Sequence, residues 1–261
     1  MRIVIKPNAS DAADTCAALI EAALRKTPDM ALGLATGGTM EPVYARLRAA
    51  HEAGLSFARC SSFNLDEYVG LAGDHPQSYR HYMQQHLFDH VDIRPEAAHL
   101  PDGAAADPVA AAAQYDALIG RCGPIGLQLL GLGSNGHIGF NEPSSSLVSR
   151  SRVKTLTRKT VEANSRFFGP DETPPHLSIT MGIGTIMEAS RIVLLATGRG
   201  KAQAAAAMIE GPLSAHCPAS ILQMHTDATV ILDEEAAADL AERDYYDWVE
   251  LQRSRVPGQA G

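Results

Sequence analysis

Residues 125–143 read IGLQLLGLGSNGHIGFNEP, and this stretch decides the fold class. Its apolar part, Ile125–Leu130, is typical of a buried strand, and the glycines after it are typical of a turn whose backbone approaches a ligand closely. The turn presents His137, an imidazole suited to moving protons near neutral pH, and then the carboxylate of Glu142. A glycine-rich turn that carries these two groups predicts a reaction site rather than a simple connection.

The same stretch also matches a dinucleotide-binding pattern, because Gly131–Gly136 fits G-x-G-x-x-G. That pattern requires a helix that starts on the loop and an acidic residue about 20 positions later. Here Pro143 and three serines follow the glycines, and no Asp or Glu lies between Glu142 and Glu162. The sequence therefore predicts no nucleotide site and no cofactor.

The composition is that of an ordinary globular protein, with 261 residues of which 45% are hydrophobic and 20% charged. This length suits one sizeable α/β domain and is small for two. We expect a single catalytic domain over residues 1–254 and a disordered tail over residues 255–261.

Charge and cysteine content argue against several classes of partner. The formal net charge of −8 disfavours a nucleic-acid surface, although a local basic pocket for a small anion is compatible with it. No apolar run approaches the ~18 residues of a membrane span, so we expect no membrane contact. The four cysteines, Cys16, Cys60, Cys122 and Cys217, lack paired spacing. This favours reduced thiols in a cytoplasmic protein and no metal site.

On both sides of the glycine-rich loop, strand and helix signals alternate along the chain. The strand-like runs are Ile3–Ile5, Ala31–Leu34, Cys60–Leu65, Ile125–Leu130, Ile192–Ala196 and Ala228–Leu232. The helical stretches include Asp11–Arg25, Glu41–His51, Val109–Ile119 and Lys201–Ile209. This alternation predicts an α/β fold with a mostly parallel open sheet and helices on both faces, Rossmann-like without a nucleotide site. Ligands of such sheets bind outside the carboxyl ends of the strands.

Three further loops follow predicted strands and carry polar groups. Thr36–Thr39 has two glycines before a helix, which suits an anion cradle or a helix cap. Asp66 and Glu67 follow the next strand, and because they are adjacent only one is expected to face the cleft, as a general base or as a turn acid. Lys201 stands in a first helical turn, where it opposes the helix dipole. It is either an anion ligand or a solvated surface residue.

Basic residues also follow the histidine loop. Arg150, Arg152 and Lys154 alternate with smaller residues, so in a strand they would share one face; the alternative is a charged edge strand. Arg166 lies among aromatic residues, and a partly buried guanidinium of this kind usually has an anionic partner.

Together these residues supply a base, an imidazole with a carboxylate and an anion cradle, without a nucleophilic Ser or Cys motif. A base and an acid without a nucleophile suit proton transfer on a phosphorylated carbonyl compound, such as an aldose–ketose isomerisation.

The motifs in this order resemble those of the glucosamine-6-phosphate deaminase family over nearly the whole chain. The matching segments are Leu32–Thr39, Phe63–Gly70, Gly136–Pro143, Ala163–Phe168 and Gly198–Lys201. The resemblance implies conversion of glucosamine 6-phosphate and water to fructose 6-phosphate and ammonia.

The resemblance also implies residue roles. Asp66 matches the base that takes the C2 proton and returns it at C1, and His137 with Glu142 matches the group that opens the pyranose ring. The positions that match the phosphate site are Gly37, Gly38, Thr39, Arg166 and Lys201. Those that match the activator site of regulated members, which bind N-acetylglucosamine 6-phosphate between subunits, are Ser145, Arg152 and Lys154. A homo-oligomer, of the hexameric type, is implied with them.

One position departs from the family pattern. Well-studied enzymatic members carry Asp immediately before the Gly-His pair, whereas this chain has Asn135. Asparagine can accept a hydrogen bond from the imidazole but cannot stabilise imidazolium with a full charge. The difference bears on the pH profile and the turnover rather than on the reaction, and we count Asn135 with the catalytic group.

Two related activities compete with this interpretation. A galactosamine 6-phosphate deaminase would share the chemistry and differ in the epimer accepted. A 6-phosphogluconolactonase would share a related Gly-His loop, but the segments Phe63–Tyr68 and Phe140–Glu142 favour the deaminase. A non-catalytic sugar-phosphate sensor is disfavoured because Asp66 and His137 are both present.

Overall fold

The computed structural model of the chain describes residues 1–158, 161, 168, 172–253 and 255. Within these residues the chain forms a parallel sheet, a smaller antiparallel sheet and the helices that accompany them. Apart from Arg255, the tail predicted to be disordered lies outside the described residues.

The parallel sheet has seven strands in the described part of the chain, in the order β1-β10-β9-β6-β2-β3-β5. Every neighbouring pair in this sheet is parallel, which confirms the predicted sheet type. Its strands are β1 (Arg2–Lys6), β2 (Ala31–Leu34), β3 (Ser61–Asn64), β5 (Ala98–His99), β6 (Leu127–Gly131), β9 (Ile192–Ala196) and β10 (Ala228–Asp233).

The helices connect these strands. They are α1 (Ala9–Lys26), α2 (Glu41–Glu52), α3 (Tyr79–His86), α4 (Pro108–Cys122), α5 (Ile183–Met187), α6 (Ala202–Ile209) and α7 (Arg243–Arg253). Helix α1 begins where the side chain of Asn8 accepts a hydrogen bond from the backbone of Asp11, and it packs against α2 and the strands β1, β9 and β10. None of the helices in the described residues is both long and apolar enough to span a membrane.

A second sheet, which the apolar runs do not predict, has the antiparallel order β4-β8-β7. Its strands are β4 (Asp66–Tyr68), β8 (Leu177–Thr180) and β7 (Arg152–Thr155). Strand β7 bears out the alternation of Arg152 and Lys154. Arg150 precedes the strand and instead pairs with Asp116 and Glu188.

The apolar composition of the inner strands explains why they lie in the core of the sheet. All residues of β9 (IVLLA) and of β10 (ATVILD) are buried, as expected for strands covered on both faces. The polar residues therefore gather where the strands end, and this edge holds the site.

Candidate functional site

A cavity of about 410 Å³ opens at the carboxyl ends of β2, β6 and β9. Its lining comes from the loops after these strands and from β4. The lining residues that the sequence singled out are Gly37, Gly38, Thr39, Asp66, Asn135, His137 and Lys201. Seven residues far apart in the chain therefore share one cleft, at the edge where parallel sheets bind ligands.

Asp66 is the first residue of β4, two positions after the end of the parallel strand β3, and it is only 6% exposed. Among the described residues, none donates a hydrogen bond to its carboxylate. Burial, with a smaller contribution from the charge of Glu67, raises the pKa of Asp66 to about 8. A buried carboxyl of this kind exchanges a proton near neutral pH, as a general base must.

Glu67 points the other way, as expected for adjacent residues of a strand. Its carboxylate accepts hydrogen bonds of 2.9 Å from the backbone N–H groups of Tyr68, Tyr79 and Arg80. Two of these groups open helix α3, so Glu67 fixes this helix to β4. Burial raises the pKa of Glu67 while the three N–H donors oppose that rise.

The histidine loop is held by its own backbone. Gly133 N–H donates to His137 O at 2.9 Å, and Gly136 N–H donates to Gly133 O at 2.9 Å. The imidazole packs directly over Gly133, where an added Cβ would lie 2.4 Å from three ring atoms. Glycine at this position is therefore required by the close approach of the imidazole.

His137, Glu142 and Asn135 form a compact group. His137 Nδ1 lies 3.4 Å from Glu142 Oε2, and Asn135 Nδ2 donates to the same oxygen at 2.7 Å. Asn135 Oδ1 accepts from the backbone N–H of His137 at 3.3 Å rather than from its ring. Asn135 thus orients the carboxylate and the loop, which differs from the expected contact with the imidazole.

The loop after β2 supplies the first half of the candidate anion site. Gly37 has φ of +110°, and its carbonyl accepts from Tyr82 Oη at 2.9 Å and from Met40 N–H at 2.8 Å. Among the described residues, no protein acceptor takes the N–H groups of Gly38 and Thr39. These two donors lie just before helix α2 and line the cavity.

Lys201 supplies the second half. It ends the turn Arg199–Lys201 and lines the cavity, and burial lowers the pKa of its ammonium group. The N–H groups that precede it are already occupied, since Asp233 accepts from Gly198 at 2.9 and 3.0 Å and Glu235 accepts from Arg199 at 3.2 Å. This loop therefore offers an anion the lysine charge, without the N–H groups of Gly198 and Arg199.

Sequence patterns did not indicate Asp233, which ends β10 and is buried. It also accepts from Ala236 N–H at 2.8 Å, so it ties the lysine loop to the adjacent strand end. Its position at a strand end was available in the sequence, but nothing in the sequence connects it with Gly198.

The activator positions lie beside the histidine loop rather than in the cavity lining. Arg152 Nη1 donates to Asn141 Oδ1 at 2.9 Å, and burial lowers the pKa of its guanidinium. Ser145 is buried and donates its backbone N–H to Glu142 O at 3.0 Å. Lys154 is half-buried on the same strand as Arg152.

One predicted site residue is not described by the structure, and two residues of the cavity lining were not predicted. Arg166, expected at the phosphate site, lies outside the described residues. Tyr79 and Phe140, which the sequence did not predict as site residues, line the cavity and stack on each other with ring centroids 5.9 Å apart. Aromatic residues of this kind carry no spacing signal because their role depends on tertiary contacts.

Comparison with known proteins shows which family the chain matches. Residues 6–231 match the family model described as glucosamine-6-phosphate isomerases/6-phosphogluconolactonase. A glucosamine-6-phosphate deaminase of Shewanella loihica is 54% identical over 253 residues, which are 97% of this chain and 94% of the relative. One of Cellvibrio japonicus is 52% identical over 262 residues and covers 100% of both chains.

Solved structures give the same fold. The structure of a monomeric glucosamine-6-phosphate deaminase superposes with a TM-score of 0.89 at 41% identity, covering 92% of this chain and 100% of that one. The 6-phosphogluconolactonase of Trypanosoma brucei superposes with a TM-score of 0.73 at 21% identity, covering 92% and 98%. The latter likeness extends to the fold alone.

Proposed function

Because the chain belongs to the glucosamine-6-phosphate isomerase/6-phosphogluconolactonase family, we propose that it deaminates glucosamine 6-phosphate. The reaction converts this amino sugar phosphate and water to fructose 6-phosphate and ammonia. The observation that carries the proposal is the cavity itself, where Asp66 and His137 share one cleft with Lys201 and with the N–H groups of Gly38 and Thr39, which find no acceptor among the described residues. Proton-transfer groups and an anion cradle in one cavity suit a phosphorylated sugar.

His137 and Glu142 act first, on the closed sugar ring. The neutral imidazole takes the proton of the anomeric hydroxyl and passes it to the ring oxygen as the bond between C1 and that oxygen breaks, which opens the pyranose to the aldehyde form. The carboxylate of Glu142, 3.4 Å from Nδ1 of the ring, stabilises the imidazolium that carries the proton. Asn135 holds this carboxylate by donating to it at 2.7 Å.

Asp66 then carries the isomerisation. Its carboxylate removes the proton from C2 while the aldehyde oxygen O1 takes a proton from the substrate's own ammonium group, which gives an enolamine, and the Asp66 carboxyl then returns the first proton to C1. The product is an imine at C2, and water hydrolyses it to the ketone of fructose 6-phosphate with release of ammonia. The raised pKa of Asp66, about 8, makes its carboxylate a stronger base than an exposed one.

The phosphate is held at the other end of the cavity. Gly37, Gly38 and Thr39 provide the backbone cradle at the start of α2, and Lys201 provides the charge. Arg166 completes the set by resemblance.

One set of assays tests the proposal against its alternatives. The purified protein is given glucosamine 6-phosphate, galactosamine 6-phosphate and 6-phosphogluconolactone in parallel, with ammonia release and lactone hydrolysis as readouts. We expect ammonia release from glucosamine 6-phosphate and no hydrolysis of 6-phosphogluconolactone. Preferential turnover of the galacto epimer would change the substrate, and hydrolysis of the lactone without ammonia release would overturn the proposed reaction.

We also propose that Ser145, Arg152 and Lys154 bind N-acetylglucosamine 6-phosphate at a contact between subunits of a homo-oligomer, of the hexameric type that the resemblance implies. Two basic residues on one strand support this, and Arg152 reaches Asn141 beside the catalytic Glu142. The activator is expected to lower the half-saturating substrate concentration through a coupling of about 1–3 kcal/mol, reciprocal between both ligands. Hyperbolic kinetics that ignore the activator, or a monomer in light scattering, would contradict it.

A cytoplasmic location is part of the same proposal. Sugar phosphates are intracellular metabolites, and the cysteines Cys16, Cys60, Cys122 and Cys217 are all unpaired in the described residues. Fractionation of the producing cell, with the activity recovered in the cytosolic fraction, is the expected result.

A further inference from the structure

The two proton-transfer groups of the cavity belong to different parts of the fold. Asp66 stands on β4 of the antiparallel sheet, whereas His137 stands on the loop after β6 of the parallel sheet. We propose that Thr180 is the positioning residue that fixes the Asp66 carboxylate relative to the histidine loop. This inference rests on the proposed function for its kinetic consequence, but the contacts that support it do not.

Thr180 is tied to Asp66 through the strand register. The two residues face each other across the antiparallel pair β4 and β8. Residues directly opposite in such a pair have Cβ atoms about 4.5–5.5 Å apart on the same face of the sheet. The adjacent residue, Met181, donates its N–H to Leu65 O at 2.6 Å and so extends the connection past Asp66.

Thr180 is tied to the histidine loop through its hydroxyl group. The fully buried Oγ1 accepts a hydrogen bond from Phe140 N–H at 3.1 Å. Phe140 lies between His137 and Glu142 in the chain. Its neighbour Asn141 reinforces the link by donating to Ile138 O and to Met181 O, each at 2.9 Å.

Gly139 marks the point where the strand and the loop meet. Its φ is +55°, and an added Cβ would lie 3.0 Å from Thr180 Oγ1 and 3.5 Å from Asp66 Oδ2. The hydroxyl group and the carboxylate therefore approach the same few ångströms of loop backbone. Thr180 is the residue that touches the loop there while standing opposite the base in the sheet.

Thr180→Val is expected to break this connection at nearly constant side-chain volume. The Phe140 N–H loses its acceptor in a buried position, and the loop relaxes away from β8. A shift of about 1 Å between reacting groups lowers rates by up to about 100-fold, so we expect kcat to fall about 10–100-fold. KM and inhibition by inorganic phosphate should change little, because the anion cradle is untouched.

Two further variants separate positioning from general stability. Thr180→Ser keeps the hydroxyl group and should restore kcat to near the wild-type value. Thr185→Val is the matched control, because Thr185 is an equally buried threonine that donates to Asp116 Oδ1 at 2.7 Å, outside the cavity lining. It should lower the melting temperature by a similar amount while kcat stays unchanged.

Amide hydrogen exchange of the peptide that contains Phe140 gives a readout that does not depend on activity. Thr180→Val should accelerate exchange at this peptide, whereas Thr185→Val should not. If the wild type releases no ammonia from any amino sugar phosphate, the proposed reaction fails and the exchange result still decides the role of Thr180. Unchanged exchange, or a kcat for Thr180→Val equal to that of the Thr185 control, would overturn the inference.

Discussion

The proposed proton-transfer end and the proposed phosphate end of the cavity are formed by different parts of the fold. The proposed phosphate end uses loops of the parallel sheet, with Lys201 and with the backbone N–H groups of Gly38 and Thr39, for which the described residues supply no acceptor. The proton-transfer end adds the antiparallel sheet, which buries Asp66 without hydrogen-bond donors from the described residues. An end that only binds can rely on charge and exposed donors, whereas an end that reacts must shift a pKa.

Asp66 and Glu67 show the same contrast over two adjacent residues. Both carboxylates are buried, but Glu67 accepts three backbone N–H bonds. These bonds offset the cost of burying its charge, as in a helix cap. Asp66 receives no such donor from the part of the chain that the structure describes, and burial raises its pKa to about 8. The structural carboxylate of Glu67 and the proposed general base Asp66 therefore differ in their hydrogen-bond donors rather than in their burial.

The largest effect is expected at the proton-transfer end, for Asp66→Asn. Loss of the general base should lower kcat by about 10²–10⁴-fold or more with the phosphate end intact. For the wild type, kcat/KM should fall as the pH drops below about 8, because Asp66 then takes up a proton. A pH-rate profile checks this, and near-normal turnover of the folded Asn variant would remove the assignment.

The same variant has an opposite effect on stability. The folded pKa of Asp66 is raised from 3.8, so ionisation of this residue costs the folded state and wild-type stability falls between about pH 4 and 8. The Asn variant lacks this loss. Its melting temperature should exceed that of the wild type by an amount that grows up to pH 8 and is constant above it.

The second effect separates ring opening from isomerisation. His137→Gln should reduce turnover of the cyclic substrate by about 10²-fold, in the range of general acid–base contributions. An open-chain substrate, or the reverse reaction from fructose 6-phosphate and ammonia, should lose less. Equal losses in both directions would assign the imidazole a wider role, such as hydrolysis of the imine.

At the phosphate end we expect a change in KM instead of kcat. Lys201→Ala removes a charge-assisted hydrogen bond, worth about 1.5–3 kcal/mol, so KM should rise about 10–100-fold. Arg199→Ala is the matched control, because this exposed residue of the same loop pairs with Asp239 instead of lining the cavity. A similar KM for both variants would show that the loop charge, rather than Lys201, holds the phosphate.

The smallest effect tests the support beneath the lysine. Asp233→Asn removes one acceptor from Gly198 and Ala236, so Lys201 should lose its fixed place and KM should rise about 3–10-fold, the equivalent of one neutral hydrogen bond. Glu235→Gln, which affects the single longer contact to Arg199, should change KM less. If the Glu235 variant were the worse of the two, Asp233 would not be the anchor of this loop.

The parallel sheet could be predicted because its strands have a recognisable sequence pattern. β6, β9 and β10 are short, nearly continuous apolar runs, and such runs are typical of strands covered on both faces. The antiparallel sheet carried no such signal. The segment Asp66–Tyr68 consists of acidic and aromatic residues, so it lacks the apolar run that indicates a buried strand. Of the three strands, only β7 showed an alternating pattern.

The candidate site divides in the same way. The place of Asp66, His137 and Lys201 in the cavity lining could be predicted because each follows a recognisable strand of the parallel sheet. Thr180 and Asp233 could not, since each acts on a partner far away in the chain. The contact of the Asn135 amide with Glu142 could not be predicted from the sequence either, because it depends on the conformation of the loop.

The antiparallel sheet also has a consequence for how the protein gains and loses activity. Its strands come from residues 66–68, 152–155 and 177–180, so the sheet closes only when distant parts of the chain have met. The parallel sheet also joins distant segments, but every residue of its strands β9 and β10 is buried, whereas strand β7 of the antiparallel sheet is half-buried to exposed. Regions with fewer buried contacts open at a lower free-energy cost than the core does. We therefore expect turnover to vanish at a denaturant concentration below the one that unfolds the parallel sheet. During refolding, the capacity to bind phosphate should return before the capacity to release ammonia.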